Sequence, residues 1–308
     1  MQVPDEDWNR FKGIDLKLRG TAENLDHTRA ALAMCENLDA NIGRLLKSLD
    51  EPNTIVVYFH DNGPNGKRWN GGMKGVKGST DEGGVRSPLF IRWPGTIKES
   101  VVKPIAGAID LLPTIAELCG VTHVGTAPLD GISFAPALLS GAMFKSERLL
   151  FAHWNGRTSA RSQSHRLDAA GQLFDMVNDP GQTKAVADPL RGAALRTAVE
   201  AWKADALAGI AKTDDRPFPV GWREMPRTVL PARDGVPLGA VKRSANAPNC
   251  SYFTNWTTAK DAMTWVVEVE TAGRYEAILH YTSGEVGSTL ELSPVSYTHL
   301  TLPTNREV

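Results

Sequence analysis

From Ile55 to Phe59 the chain is apolar at every position, and the run Thr54-Ile55-Val56-Val57-Tyr58-Phe59-His60 is rich in β-branched residues. It is too short for a helix and shows no polar alternation, so it reads as a strand that needs cover on both faces, the pattern of a parallel sheet. Upstream, from about His27 to Leu49, the residues Leu38, Ile42, Leu45 and Leu49 recur at helical spacing and make one apolar stripe. Glu36, Asn37, Asp39 and Asn41 face away from that stripe or lie at its edge. An amphipathic helix feeding a buried strand predicts an α/β fold.

The next stretch, Asp61 to Gly84, is rich in glycine, and Pro88-Leu89-Phe90-Ile91-Arg92-Trp93 then reads as a second buried strand ended by Pro94-Gly95. A helix is predicted over Leu111–Cys119, with Asp110 as N-cap, Pro113 in its first turn and Gly120 at its left-handed end. A shorter helix is expected over Ser133–Leu139, around Pro136. Between Arg148 and Asp175 the pattern changes to short strands and polar turns, followed by a helix from about Leu190 to Leu207. That combination predicts a small antiparallel sheet covered by a helix. Prolines at 217, 219, 226, 231 and 237 then read as a linker, because each lacks a backbone donor. Beyond it, Thr264–Val269, Tyr275–Tyr281 and Ser288–Leu292 read as the opening strands of a β-sandwich. The stretch Pro294–Asn305 resembles a translated sequencing-adapter end and is set aside from fold reasoning.

The organisation expected is therefore an α/β core over 1–145, a small sheet-plus-helix subdomain over 146–211, a proline-rich linker over 212–237, a partial β-sandwich over 238–293 and an extraneous tail over 294–308. A hydrophobic content of 42% supports a buried core. A net charge of -1 with no basic block argues against nucleic acid and anionic membrane partners. Cys35, Cys119 and Cys250 lie far apart and outside any metal-ligand spacing. No apolar run approaches the roughly 20 residues of a membrane span, and Met1–Asp7 has neither the basic start nor the apolar stretch of a signal peptide.

Asp61-Asn62-Gly63-Pro64 follows the first strand directly, at the edge where parallel sheets hold ligands. Adjacent carboxylate and amide oxygens suit a hard cation such as calcium or magnesium, although Asp-Asn-Gly also makes an ordinary turn. Lys77, among glycines, has an ammonium suited to an anionic substrate, with Lys74 as its competitor in the same loop. The bland reading of either is a solvated loop lysine. His153, in His153-Trp154-Asn155-Gly156-Arg157, is either a pocket residue or a structural one, and His60, beside Asp61, reads as a strand-end histidine packed in the core in preference to a partner that orients Asp61. Glu82 and Arg86 read as a pair that braces the loop.

Taken together, Asp61-Asn62-Gly63-Pro64, the run Lys77-Gly78-Ser79-Thr80-Asp81-Glu82-Gly83-Gly84-Val85-Arg86-Ser87-Pro88 and Trp93-Pro94-Gly95 resemble, in order and spacing, the second half of the sulfatase family signature. The resemblance extends to Glu36-Asn37-Leu38-Asp39, Asp110-Leu111-Leu112-Pro113-Thr114 and Leu129-Asp130-Gly131, and it covers most of residues 1 to 210. It departs locally at Asp81, where the family usually carries tyrosine, which implies altered loop packing. The resemblance implies an alkaline-phosphatase-like α/β fold that binds calcium, with Asp61 and Asn62 as metal ligands and Lys77 as the catalytic lysine that contacts the sulfate. His153 would add a substrate contact.

The family's nucleophile is a formylglycine made from Cys or Ser in a Cys/Ser-x-Pro/Ala-x-Arg motif, which none of the three cysteines starts. Ser162-Gln163-Ser164-His165-Arg166 has the arginine but fails at its third position. The expectation is a truncated sulfatase, inactive alone, with its nucleophile in a missing N-terminal part, and prone to aggregate through uncovered apolar faces. The region after Pro237 resembles the start of a galactose-binding-like module, so a sulfated carbohydrate is the expected substrate. Family habit implies a periplasmic or secreted protein. The rival readings are a phosphatase or phosphodiesterase of the same superfamily and a non-enzymatic carbohydrate-binding protein.

Overall fold

The computed structural model describes residues 3–16, 23–49, 53–66, 68–122, 125–142, 147–210, 214, 216–246, 249–284 and 289–293. They fall into two units, residues 1–210 and 211–308. None of the helices formed by the described residues is long and apolar enough to cross a membrane.

In the first unit, α1 (Asp5–Lys12) carries acidic residues in its first turn and Arg10 and Lys12 in its last, the polarity that the helix dipole favours. It packs on α2 (Leu25–Ser48), which starts where the Asn24 side chain accepts from the His27 amide at 2.9 Å. Asn37 fastens the pair by donating to the buried Asp7 at 2.7 Å. The predicted apolar stripe is not buried. Ala30 and Ala33 are the buried residues of α2, whereas Leu38 is 45% and Leu45 59% exposed. Helical spacing fixes which residues share a face and leaves open what covers that face.

The strand β1 (Val56–Phe59) pairs with β2 (Leu89–Arg92), but antiparallel, with Val56 opposite Arg92 and Phe59 opposite Leu89. The parallel, doubly buried arrangement read from the sequence is thereby corrected among the described residues: β1 is only partly buried, and Phe90 of β2 is 64% exposed. An apolar β-branched run states a demand for cover; strand direction is set by how the chain returns. Here it returns through a loop holding the short α3 (Glu82–Val85).

A 3-10 turn over Ala108–Asp110 leads into α4 (Leu111–Leu118), and α5 (Ala135–Ser140) follows, with Pro136 in its first turn and Gly141 left-handed at its end. Asp110 stands at the N-cap position of α4 as predicted, but its side chain makes no capping bond to that helix. Its fully buried carboxylate accepts from the amides of Gly107 at 2.8 Å and Ile132 at 2.9 Å and from Arg148 at 2.7 Å, tying three segments together. Leu118, Phe134, Ala135 and Leu138 form the core here, with Ile55, Ile91 and Trp93 packed against it.

The small sheet is the antiparallel meander β3 (Leu150–Trp154), β4 (Arg157–Arg161), β5 (His165–Leu167) and β6 (Leu173–Asp175). It is covered by α6 (Pro189–Ala206), whose N-cap Asp188 accepts from the Arg191 amide at 3.0 Å. Ala160, Leu167 and Leu173 from the sheet meet Leu195 and Val199 from α6 in a second core. Phe151 stacks on Trp202 with centroids 5.3 Å apart.

The second unit contains β7 (Phe218–Val220), β8 (Val236–Leu238), β9 (Lys242–Arg243), β10 (Phe253–Thr254), β11 (Ala262–Thr264) and β12 (Val267–Val269). They pair two by two: β9 with β10 and β8 with β11 antiparallel, β7 with β12 parallel. The expected linker therefore supplies two strands, and its Pro219 and Pro237 are tolerated because each lies in a two-stranded pair with a free edge. The expected β-sandwich does not form among the described residues. Trp265 and Val266 interrupt the first predicted strand, and 275–281 and 289–293 carry no ladder. Residue 288 and the tail 294–308 lie outside the described residues. Alternating composition sufficed to suggest strands, but a strand persists only where a partner satisfies its backbone groups.

Candidate active site

The end of β1 delivers Asp61 and Asn62 to an open cavity of about 640 Å³, which Lys77 also lines. Two chain crossings bring them together. The Gly63 amide donates to Gly84 O at 2.9 Å, and the Lys77 amide donates to Pro64 O at 3.0 Å. A Cβ at Gly63 would lie 1.9 Å from Gly83 O, so the close approach that seats Asp61-Asn62 on the α3 loop requires glycine. At Gly83 a Cβ would lie 2.5 Å from Gly75 O, and the Gly83 amide donates to Lys74 O at 2.7 Å. The glycine-rich spacing thus sets backbone against backbone.

The two lysines of the loop separate cleanly. Lys74 Nζ lies 2.8 Å from Asp168 and 3.5 Å from Asp81, over the Phe174 ring. Burial alone would favour its neutral amine, but the bond to Asp168 and the charges of Asp81 and Asp168 outweigh that and raise its pKa. Lys74 is a structural cation. Lys77 is exposed at the cavity, and its ammonium has no partner among the described residues. Asp81, the departure from the sulfatase pattern, accepts from Gln182 Nε2 at 2.6 Å and belongs to the Lys74 cluster.

Beneath the loop lies a buried ionic hub. Glu82 is 4% exposed and receives Arg166 at 2.7 Å and 3.2 Å, with Arg161 at 3.5 Å and Arg86 at 3.6 Å. Arg166 also donates to Thr80 O at 2.8 Å, and Ser159 Oγ donates to the same carbonyl at 2.7 Å. The expected Glu82–Arg86 pair exists, but Arg166 and Arg161 of the small sheet are the inward-facing partners. Sequence reasoning missed them, and it missed Gln182. That residue is fully buried with φ +59°, and its Oε1 accepts from the Glu82 amide at 2.8 Å. The turn Asp179-Pro180-Gly181 was the only local signal for Gln182.

His60 is not packed in the core: β1 ends at Phe59, so His60 is exposed, lines the cavity and bonds Tyr58 Oη through Nε2 at 2.6 Å. His153 is outside the cavity lining. It is exposed on β3, with Nδ1 2.7 Å from Thr158 Oγ1. Its hairpin nevertheless reaches the Lys77 loop, where Arg157 donates to Gly78 O at 2.7 Å. The chemistry of the donors at Asp61 and Asn62 fits a hard cation. No group of three or more His, Cys, Asp or Glu residues that could hold a metal occurs among the described residues, so these two supply only part of an oxygen shell.

Residues 3–121 match the family described as Sulfatase. Over that segment the chain is similar to sulfatases. Human arylsulfatase A is 37% identical over 123 residues, 37% of this chain and 24% of its own length. A sulfatase of Formosa agariphila is 30% identical over 210 residues, 55% of this chain and 38% of its own length. The chain superposes on the crystal structure of Ps i-CgsB with a TM-score of 0.52 and 25% identity, covering 65% of this chain and 46% of that one. The same protein has been solved in complex with k-i-k-neocarrahexaose, with a TM-score of 0.51 to this chain. The chain therefore spans less than half the length of each of these relatives. The mixed α/β architecture expected from the sequence agrees with these likenesses.

Proposed function

We propose that the cavity lined by Asp61, Asn62 and Lys77 is the sulfate end of a sulfate-ester hydrolase site. One observation carries the reading: of the two loop lysines, Lys74 is neutralised by two carboxylates, while Lys77 presents an unpaired ammonium beside Asp61-Asn62. Lys77 binds a sulfate oxygen and counters the negative charge that the sulfuryl oxygens carry while the S–O bond breaks and its electron pair leaves with the leaving-group oxygen. Asp61 and Asn62 would hold a calcium ion, whose charge would polarise the sulfate when bound. Asp61 supplies anionic oxygen and Asn62 a neutral one, and the Gly63–Gly84 bond fixes both at the cavity wall.

The Cys/Ser-x-Pro/Ala-x-Arg motif is absent from these 308 residues, so the chain as given binds and polarises the ester without supplying the attacking group. The neighbour solved with neocarrahexaose favours a sulfated carbohydrate over other esters. Residues 1–145 are assigned the alkaline-phosphatase-like core and 146–211 the subdomain that braces its loop.

The test is titration with inorganic sulfate in the presence of calcium, followed by NMR chemical shifts, on the native chain and on Lys77→Ala. Saturable binding that the substitution weakens at least about tenfold is expected for loss of a charge-assisted contact. Equal binding by both proteins would refute the assignment of Lys77, and a strong preference for phosphate over sulfate would favour the phosphatase reading.

A further inference from the structure

The cavity has a wall that sulfate chemistry leaves unused. Trp69 lines it together with Asp61, Asn62 and Lys77 and is 51% exposed, and Met73 is a further apolar lining residue. The wall is held in place. Asn70, the next residue, donates from Nδ2 to Met73 O and to Gly75 O, both at 2.8 Å, closing the turn through the left-handed Gly71 and Gly72. A flat apolar surface and an unpaired cation lining one cavity suit a ligand with one apolar face and one anionic substituent. Asn65 also lines the cavity, and its side-chain amide has no partner among the described residues, which gives a hydroxyl-bearing ring a hydrogen-bonding group that a bare aryl ring would not use.

We infer that Trp69 is the stacking platform for a pyranose ring whose sulfate rests on Lys77, which makes it a specificity-determining residue for sulfated sugars. This rests on the proposed sulfate site. A pyranose presents axial C–H bonds on one face, which pack against an indole, while its hydroxyls point to the rim. Another exposed tryptophan of the same unit, Trp154, does not line this cavity.

The experiment is parallel NMR titration of the native chain, Trp69→Ala and Trp69→Phe with three probes: inorganic sulfate, galactose 6-sulfate and 4-nitrophenyl sulfate, with circular dichroism to confirm that each variant is folded. Galactose 6-sulfate should bind Trp69→Ala about tenfold more weakly than the native chain, the size of a lost aromatic contact, with most affinity kept in Trp69→Phe. Inorganic sulfate should bind all three proteins alike. If sulfate binds and depends on Lys77 but the sugar is indifferent to Trp69, the platform is refuted and the sulfate site stands. If Trp69 matters for the aryl ester and not for the sugar, the sugar assignment is overturned. Absence of Lys77-dependent sulfate binding removes both proposals.

Discussion

Replacing Arg166 with methionine should destabilise the first unit by about 3 kcal/mol, the lower end of the cost of removing one partner from a buried ion pair. The lower end applies because Glu82 would keep Arg161 at 3.5 Å and Arg86 at 3.6 Å, whereas it would lose the two Arg166 contacts at 2.7 Å and 3.2 Å. Methionine preserves the volume and contributes no charge, so a nearly buried carboxylate is left half paired, and Thr80 O loses one of its two donors. Urea denaturation followed by tryptophan fluorescence would report this as a midpoint lower by about 1.5 M, for a slope of about 2 kcal/mol/M. Glu82→Gln alone should cost a similar amount by stranding the arginine. The double variant should cost at least about 1 kcal/mol less than the sum, because the two charges are one interaction. A midpoint shift below about 0.5 M, or strict additivity, would show that the hub does not hold the Lys77 loop to the small sheet.

Gly63→Ala should fold poorly or lose sulfate binding, because its Cβ would sit 1.9 Å from Gly83 O; native-like stability and binding would refute the close-approach argument. His165 should titrate below its ordinary 6.5, because burial and then the Arg191 charge disfavour its protonated form. The unfolded chain then binds more protons between the lowered value and 6.5, so stability should rise with pH across that window and level off above it. Arg191→Gln should move the His165 NMR titration upward and flatten that rise; an unchanged titration would remove Arg191 as a cause.

Much of the candidate site was readable because its chemistry is local. Asp61-Asn62 and Lys77 stand in short segments whose glycines report close backbone approach, and glycine is chosen by sterics that act within a few residues. The loop's own chemistry left Lys74 as a competitor of Lys77, and only the motif resemblance preferred Lys77. Their separation depends on Asp168, which reaches Lys74 only after the small sheet has folded against the loop. The same distance hid Arg161, Arg166 and Gln182, whose roles exist only through contacts with Thr80, Asp81 and Glu82 far away in the chain.

The sequence alone determined the elements whose causes are short-ranged: α2 from its helical spacing, α5 from Pro136 and Gly141, and the meander β3–β6 from alternating strands and turns. Tertiary structure alone decided that β1 and β2 run antiparallel, that the stripe of α2 stays half exposed, and that the described residues after Tyr275 form no sheet. The physical reason is common to all three. Side-chain pattern specifies what a segment must bury or bond, while the partner that meets the demand, and its direction, are properties of the assembled chain.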